Sequence, residues 1–342
     1  MAAGNVTTLL STISEPELSD LVRRNWVATQ EFIPKNAERM FVVDHIGSGN
    51  GSSKLYNEFD TETYADVKVE GGQASKAKVG VGYNVTMTSK TVAKQVDITL
   101  EERVQNRYPE VQAKLTSLAE FCDNRMDLDL THRFTFAGAT SYVDMNGNTV
   151  STVTGDGLAL VSASHTLAFS SQTYSNLVAG GPAFSQSALE AAELLASSNI
   201  YNNFGQRRTM DFNTIFCWSD PTTERVIDQL LHSTADIDAV QSGIVNVYKN
   251  KYTKVVLPNL ATTATGAYDS TKRRYWGIAS IGKGLMGWQG ILGIWLPPTL
   301  KTPAPGNNGE NIDTLNWTYT TVAMYGIATV SPRGLIMSLV AS

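Results

Sequence analysis

Several stretches of this chain carry residue types that could do chemistry. Gly282-Lys283-Gly284-Leu285-Met286-Gly287 has G-x-G-x-x-G spacing behind a strand-like run. In a dinucleotide fold those glycines make a tight turn under a pyrophosphate, with a helix N-terminus behind it. Here residues 288–296 are too glycine-broken for a helix and run into Pro297-Pro298. No acidic residue stands about twenty positions on, and no further βαβ unit follows, so the context for a cofactor site is missing. Gly47-Ser48-Gly49-Asn50-Gly51-Ser52-Ser53-Lys54 invites a phosphate-loop reading, but its glycine spacing is wrong and no helix start follows. A linker is the simpler reading.

The four histidines are His45, His132, His165 and His232, and none has zinc-ligand spacing. His165 lies near Ser162 and Ser164, but the G-x-S-x-G elbow of a serine nucleophile is absent. A hydrogen-bonded structural histidine is expected. Asp127 and Asp129, two apart on a helix, point to different faces, which fits solvated or subunit-facing side chains better than paired catalytic carboxylates. Cys122 and Cys217 form neither a disulfide framework nor a metal site, and read as buried thiols in a reducing cytoplasm. No catalytic, cofactor or metal residue is assigned, and an enzyme is not expected.

The composition agrees. Charged residues are 17% of 342, below the roughly 25% of an average globular protein. Low charge suits a protein whose faces are covered by neighbours, and equally a plain β-rich globule. Net charge is −5, with 27 Lys plus Arg against 32 Asp plus Glu. Gripping DNA phosphates needs clustered positive charge, and only short runs such as Lys272-Arg273-Arg274 occur. No secretory leader and no membrane-spanning run are expected.

The elements that position these residues read as α+β. Residues 1–11 form an arm. Ser14 and Glu17 suit a capping box for a helix to about residue 32, whose Leu18, Leu21, Val22 and Trp26 dock either on the domain's own core or on a neighbouring subunit. Val67 and Val69 precede Glu70-Gly71-Gly72, and Val79, Val81, Tyr83, Val85 and Met87 step by two after it, the period of a long hairpin. Pro109 and Glu110 open a helix over 109–137, with Val111, Leu115, Leu118, Cys122 and Met126 on one face and Gly138 just past its end. A hairpin-like segment follows over 142–166, turning at Asn146-Gly147. A helix opens at Ser187 with Glu190 closing its capping box, and Asp220-Pro221 caps another. Strands are expected at 212–218, 245–248, 254–257, 275–281, 319–330 and 335–340, with a surface loop at 301–311.

In this order of parts the chain resembles the major capsid protein of tailed bacteriophages, of the Hong Kong ninety-seven type fold. The most specific match is Asp156-Gly157-Leu158-Ala159-Leu160-Val161-Ser162-Ala163-Ser164-His165, which looks like a segment that follows the spine helix in that family. Thr214-Ile215-Phe216-Cys217-Trp218-Ser219-Asp220-Pro221 and Lys254-Val255-Val256-Leu257-Pro258 resemble axial-domain strands. The resemblance implies an N-terminal arm at 1–40, an extended loop at 47–98, and a peripheral domain at 99–210 plus 320–342 with spine helix 109–137. The axial domain would be 211–319.

By that resemblance the chain self-assembles into hexamers and pentamers of an icosahedral virion head, built in the host cytoplasm around double-stranded DNA that it confines without reading. Glu70, Gly71, Gly72, Leu18 and Trp26 are the expected intersubunit contacts. A portal and a separate scaffold protein are implied partners, with a decoration protein as a further one. The rival readings are an encapsulin-like compartment shell, a soluble nucleotide-dependent enzyme built on the glycine loops, and a tail or decoration protein.

Overall fold

The computed structural model describes residues 15–30, 33, 35–47, 49–234, 245–283, 287–303 and 314–339. Arm residues 1–11, the Ser14 cap, Gly284 to Met286 and most of the 301–311 loop lie outside them. In chain order, α1 (Glu15–Gln30) and β1 (Val42–His45) lead to a hairpin of β2 (Ser53–Thr61) and β3 (Val79–Thr88), then β4 (Lys90–Ile98). Next come the short α2 (Leu100–Val104) and the long α3 (Tyr108–Thr135). Short strand pairs follow, β5 (Ser141–Val143) with β6 (Thr149–Ser151), and β7 (His165–Thr166) with β8 (Thr173–Tyr174). The rest is α4 (Gln186–Ser198), β9 (Thr214–Cys217), α5 (Pro221–His232), β10 (Thr253–Val256), β11 (Trp276–Ala279), β12 (Gly290–Lys301), β13 (Trp317–Thr329) and β14 (Leu335–Ser338).

Two four-stranded sheets organise the body. The first runs β1-β12-β13-β4 and the second β10-β9-β11-β14. α3 covers the first sheet and, at 28 residues, extends about 40 Å. Its expected apolar stripe is buried: Val111, Leu115, Leu118, Cys122 and Met126 all face inward. At the C-terminal end of α3, Phe134 meets Phe41, Phe216 and Trp288, joining both sheets in one core. α4 and α5 pack through Leu189, Ile227, Leu230 and Leu231 on the second sheet.

The expected lobe boundary at 319 does not follow the sheets. β12 belongs with β13 over α3, and β14 leaves for the second sheet beside β11. Other sequence readings also change. Residues 245–248 are not a strand but run into a turn at 247–250. Only the first part of 142–166 is a hairpin; residues 152–164 are loop. The cap of α4 is Ser185, which accepts from the Ala188 N–H, not Ser187. Gly138 needs no left-handed backbone; a Cβ there would lie 2.8 Å from Leu339 Cδ1, so it is small for packing. Asp220 caps α5 as expected, accepting from the Thr223 N–H.

Candidate assembly interface

The hairpin of β2 and β3 is an arm. Its ladder runs from the Ser53–Thr88 rung to Thr61–Val79, with a bulge between Asn57 and Phe59. Residues 65–69 and 73–78 beyond it are in no strand, and Val67 and Val69 lie there rather than in the ladder. Glu70-Gly71-Gly72 is the exposed tip, where Gly71 holds φ +75° and the Gly72 N–H donates to the Val69 carbonyl. Val67 is 96% and Val69 76% exposed.

Near the body the ladder is ordinary, with Tyr56, Val85 and Met87 packed inward, but in its outer half the two faces are inverted relative to a surface hairpin. Leu55, Phe59, Val79 and Val81 point outward and are exposed, while Glu58 and Asp60 are 3% and 4% exposed beneath them. Burying carboxylates requires partners. Arg333 supplies Nη1 at 2.5 Å to Glu58 and 3.4 Å to Asp60, and Arg208 Nη1 lies 3.2 Å from the other Asp60 oxygen. The Asn203 N–H donates to Asp60 and its amide to Glu58, while Arg333 Nη2 donates to Asn203 Oδ1 at 2.6 Å. None of these five residues stands out in sequence, since their separations run to 275 positions. The one local signal is the Glu58-Phe59-Asp60 alternation, which places both carboxylates on one face of a strand.

The loop 154–166 closes the other side of this cluster. His165 is fully buried, with Nδ1 2.7 Å from Asp156 Oδ2 and Nε2 3.2 Å from Asn176 Oδ1. Both ring nitrogens are therefore occupied, which leaves neither for Ser162 or Ser164. Burial opposes ionisation of Asp156, but hydrogen bonds from His165 and Thr154 outweigh it and hold the carboxyl below its usual range. Tyr174 stacks on His165, and the Arg333 guanidinium sits over the Tyr174 ring.

The remaining expected contacts divide. Leu18, 1% exposed, is packed inside the chain's own core with Val22, Val111 and Tyr319, so it is not open to a neighbour. Trp26 is half-buried, and its Nε1 has no hydrogen-bond partner among the described residues. Asp129 is buried and Asp127 half-buried. Asp129 is buried against Lys90, Arg125 and the Tyr325 hydroxyl, tying α3 to β4 and β13. Asp127 accepts from the Ala37 N–H and the Asn259 amide, and burial raises its pKa. Gly282 is at φ +76°, and Gly287 is followed by β12, so among the described residues the glycine motif has no helix N-terminus to offer a phosphate. Among the described residues, no cluster of His, Cys, Asp or Glu is placed to hold a metal, and no helix is long and apolar enough to cross a membrane.

Residues 83–338 match the family described as phage capsid protein. The chain belongs to that family. It is a major capsid protein with the Hong Kong ninety-seven type fold, and its role is structural. The mature capsid of bacteriophage PhiM1 is similar at 11% identity and TM-score 0.50, over 88% of this chain and 85% of that one. A Microbacterium phage Oxtober96 structure has 11% identity and TM-score 0.48 over 88% and 89%. A virus-like particle from Pyrococcus furiosus has 11% identity and TM-score 0.48 over 93% and 97%. No curated protein matches the sequence. The family match is to phage capsid proteins, so the compartment-shell and nucleotide-enzyme readings are set aside.

Proposed function

We propose that copies of this capsid protein form hexamers and pentamers that close an icosahedral head around double-stranded DNA, with the arm of each copy lying on its neighbour. The carrying observation is the inverted amphipathicity of the arm's outer half. Leu55, Phe59, Val79 and Val81 make an outward apolar face on the ladder, continued by Val67 and Val69 on the unpaired segment beyond it. An exposed apolar patch on an extended segment marks a protein contact. The Glu70-Gly71-Gly72 tip leads that contact, and Trp26 on α1 supplies a second.

The lobe over α3 is the peripheral domain in this reading, and the lobe of β9, β10, β11 and β14 with α4 and α5 the axial one. The net charge of −5 suits confinement of DNA without gripping it. Assembly in the host cytoplasm, a portal, a separate scaffold and a decoration protein complete the proposal. Electron microscopy of the expressed chain, with and without residues 69–80, tests it. Closed shells or capsomer rings from the full chain, lost on deletion, support the reading. Full-size shells from the deleted chain sink the role of the arm.

A further inference from the structure

The Asp156–His165 stretch carries the most specific family match in the sequence, and its polar side chains are tied to one another and to Asn176. We propose that this loop, together with Asn203 and Arg333, is a cradle that fixes the direction in which the arm leaves the body. Its functional value rests on the proposed crossing of the arm to a neighbour.

Three observations converge. The first is space. A Cβ on Gly155 would lie 2.6 Å from Tyr83 Cβ, so the loop and β3 approach closely enough to demand glycine. Tyr83 and Thr166 then share a 2.9 Å hydrogen bond across the same contact. On the arm's side, a Cβ on Gly82 would lie 2.5 Å from Asn203 Nδ2 and 2.8 Å from Glu58 Oε2. A glycine on each partner, Gly155 on the body and Gly82 on the arm, therefore lets the two approach at the joint.

The second is stiffness. A long unpaired loop would give a soft seat, but 154–166 is cross-tied internally. Asp156 Oδ1 accepts from the Leu158 N–H and the Thr154 hydroxyl. Asn176 accepts from the Ser162 N–H and donates to the Leu160 carbonyl. His165 bridges the two, linking Asp156 to Asn176.

The third is directionality. Apolar packing tolerates sliding, whereas a buried guanidinium fork aligned on two carboxylates admits few geometries. Buried ion pairs add little net stability over apolar packing, and their attested use is to select one arrangement. Glu58 and Asp60 sit just before the last rung of the ladder, so the cluster holds the arm at the point where the unpaired tip begins.

The test uses the full-length chain before assembly. Cys122 and Cys217 are buried, so spin labels on Val79→Cys and Leu194→Cys report the angle of the arm against α4. The parent should give one narrow distance distribution. Gly155→Ala and Arg333→Lys should broaden it. Exchange protection of amides in 53–61 and 79–88 should fall about a hundredfold, on the scale of a broken buried pair, with β9 and β11 unchanged. Glu58→Gln keeps the shape of the side chain and serves where Arg333→Lys does not fold. An unchanged distribution in the variants overturns the cradle. The same variants are then imaged after assembly. A broadened distribution with normal shells keeps the cradle and removes the arm's crossing, so the two readings fail separately.

Discussion

Arg333, on the turn before β14, places its Nη1 2.5 Å from Glu58 Oε1 on β2, across 275 positions of sequence, with both side chains almost wholly buried. This contact joins the turn before β14 to an arm strand 275 positions earlier. The arm is therefore not a free hairpin on a finished body. It is completed only when the C-terminal strand has been placed.

Removing one partner from such a pair leaves an uncompensated charge in the interior. Arg333→Ala should cost about 3–5 kcal/mol of stability, because Glu58 and Asp60 would remain buried without their shared cation. Urea denaturation of the unassembled chain measures this. A loss below about 1 kcal/mol, the range of exposed pairs, would mean that the cluster is solvated in solution.

The arm glycines should respond unequally to alanine. Gly82→Ala inserts a methyl against Asn203 and Glu58 and should destabilise by about 1–3 kcal/mol, the usual cost of overpacking. Gly71 has open space around it but a backbone at φ +75°, so Gly71→Ala carries only the left-handed strain of about 1–2 kcal/mol, confined to the tip. Exchange measurements separate them. Gly82→Ala should loosen residues 53–61 and 79–88, and Gly71→Ala should not.

His132 sets a pH dependence. Burial pushes it down to about 4, with Thr262 hydrogen-bonded at Nε2 and Phe136 and Tyr142 edge-on to the ring. The unfolded chain protonates its histidines near 6.5. Between these values the unfolded state binds the extra proton, so stability is fully present above about 6.5 and falls as pH drops toward 4. Thermal unfolding at pH 7.5 and 5 should show the decline, and His132→Gln should flatten it. An equal slope in both proteins would remove His132 as its source.

Val67 and Val69 touch little within the chain. Val67→Ser with Val69→Ser should change stability by less than about 0.5 kcal/mol, as for surface sites generally. Shell yield by electron microscopy and sedimentation should nevertheless drop sharply. Unchanged yield would show that the tip does not bury these side chains on a neighbour.

The sequence by itself determined the elements whose signals are local. The stripe from Val111 to Met126 defines α3, Asp220 with Pro221 starts α5, and the step of two through Val79, Val81 and Val85 defines β3. Each depends on dihedral preferences and hydrogen bonds within a few residues, so periodicity and caps suffice to find it. The order of those elements also pointed to the capsid fold.

The tertiary structure alone decided which faces are covered. Nothing local says that Phe59 points outward and Glu58 inward, because that depends on Arg333, Asn203 and Arg208 arriving from distant parts of the chain. Leu18 and Trp26 lie on one amphipathic helix, yet packing on α3 buries the first in the chain's own core and leaves the second half-covered. Which strand joins which sheet was likewise settled by pairing at long range, as β12 and β14 show. Alternation tells that a strand has two faces. Only the partners that reach it decide which face meets water, and a charge is buried where its counter-charge waits.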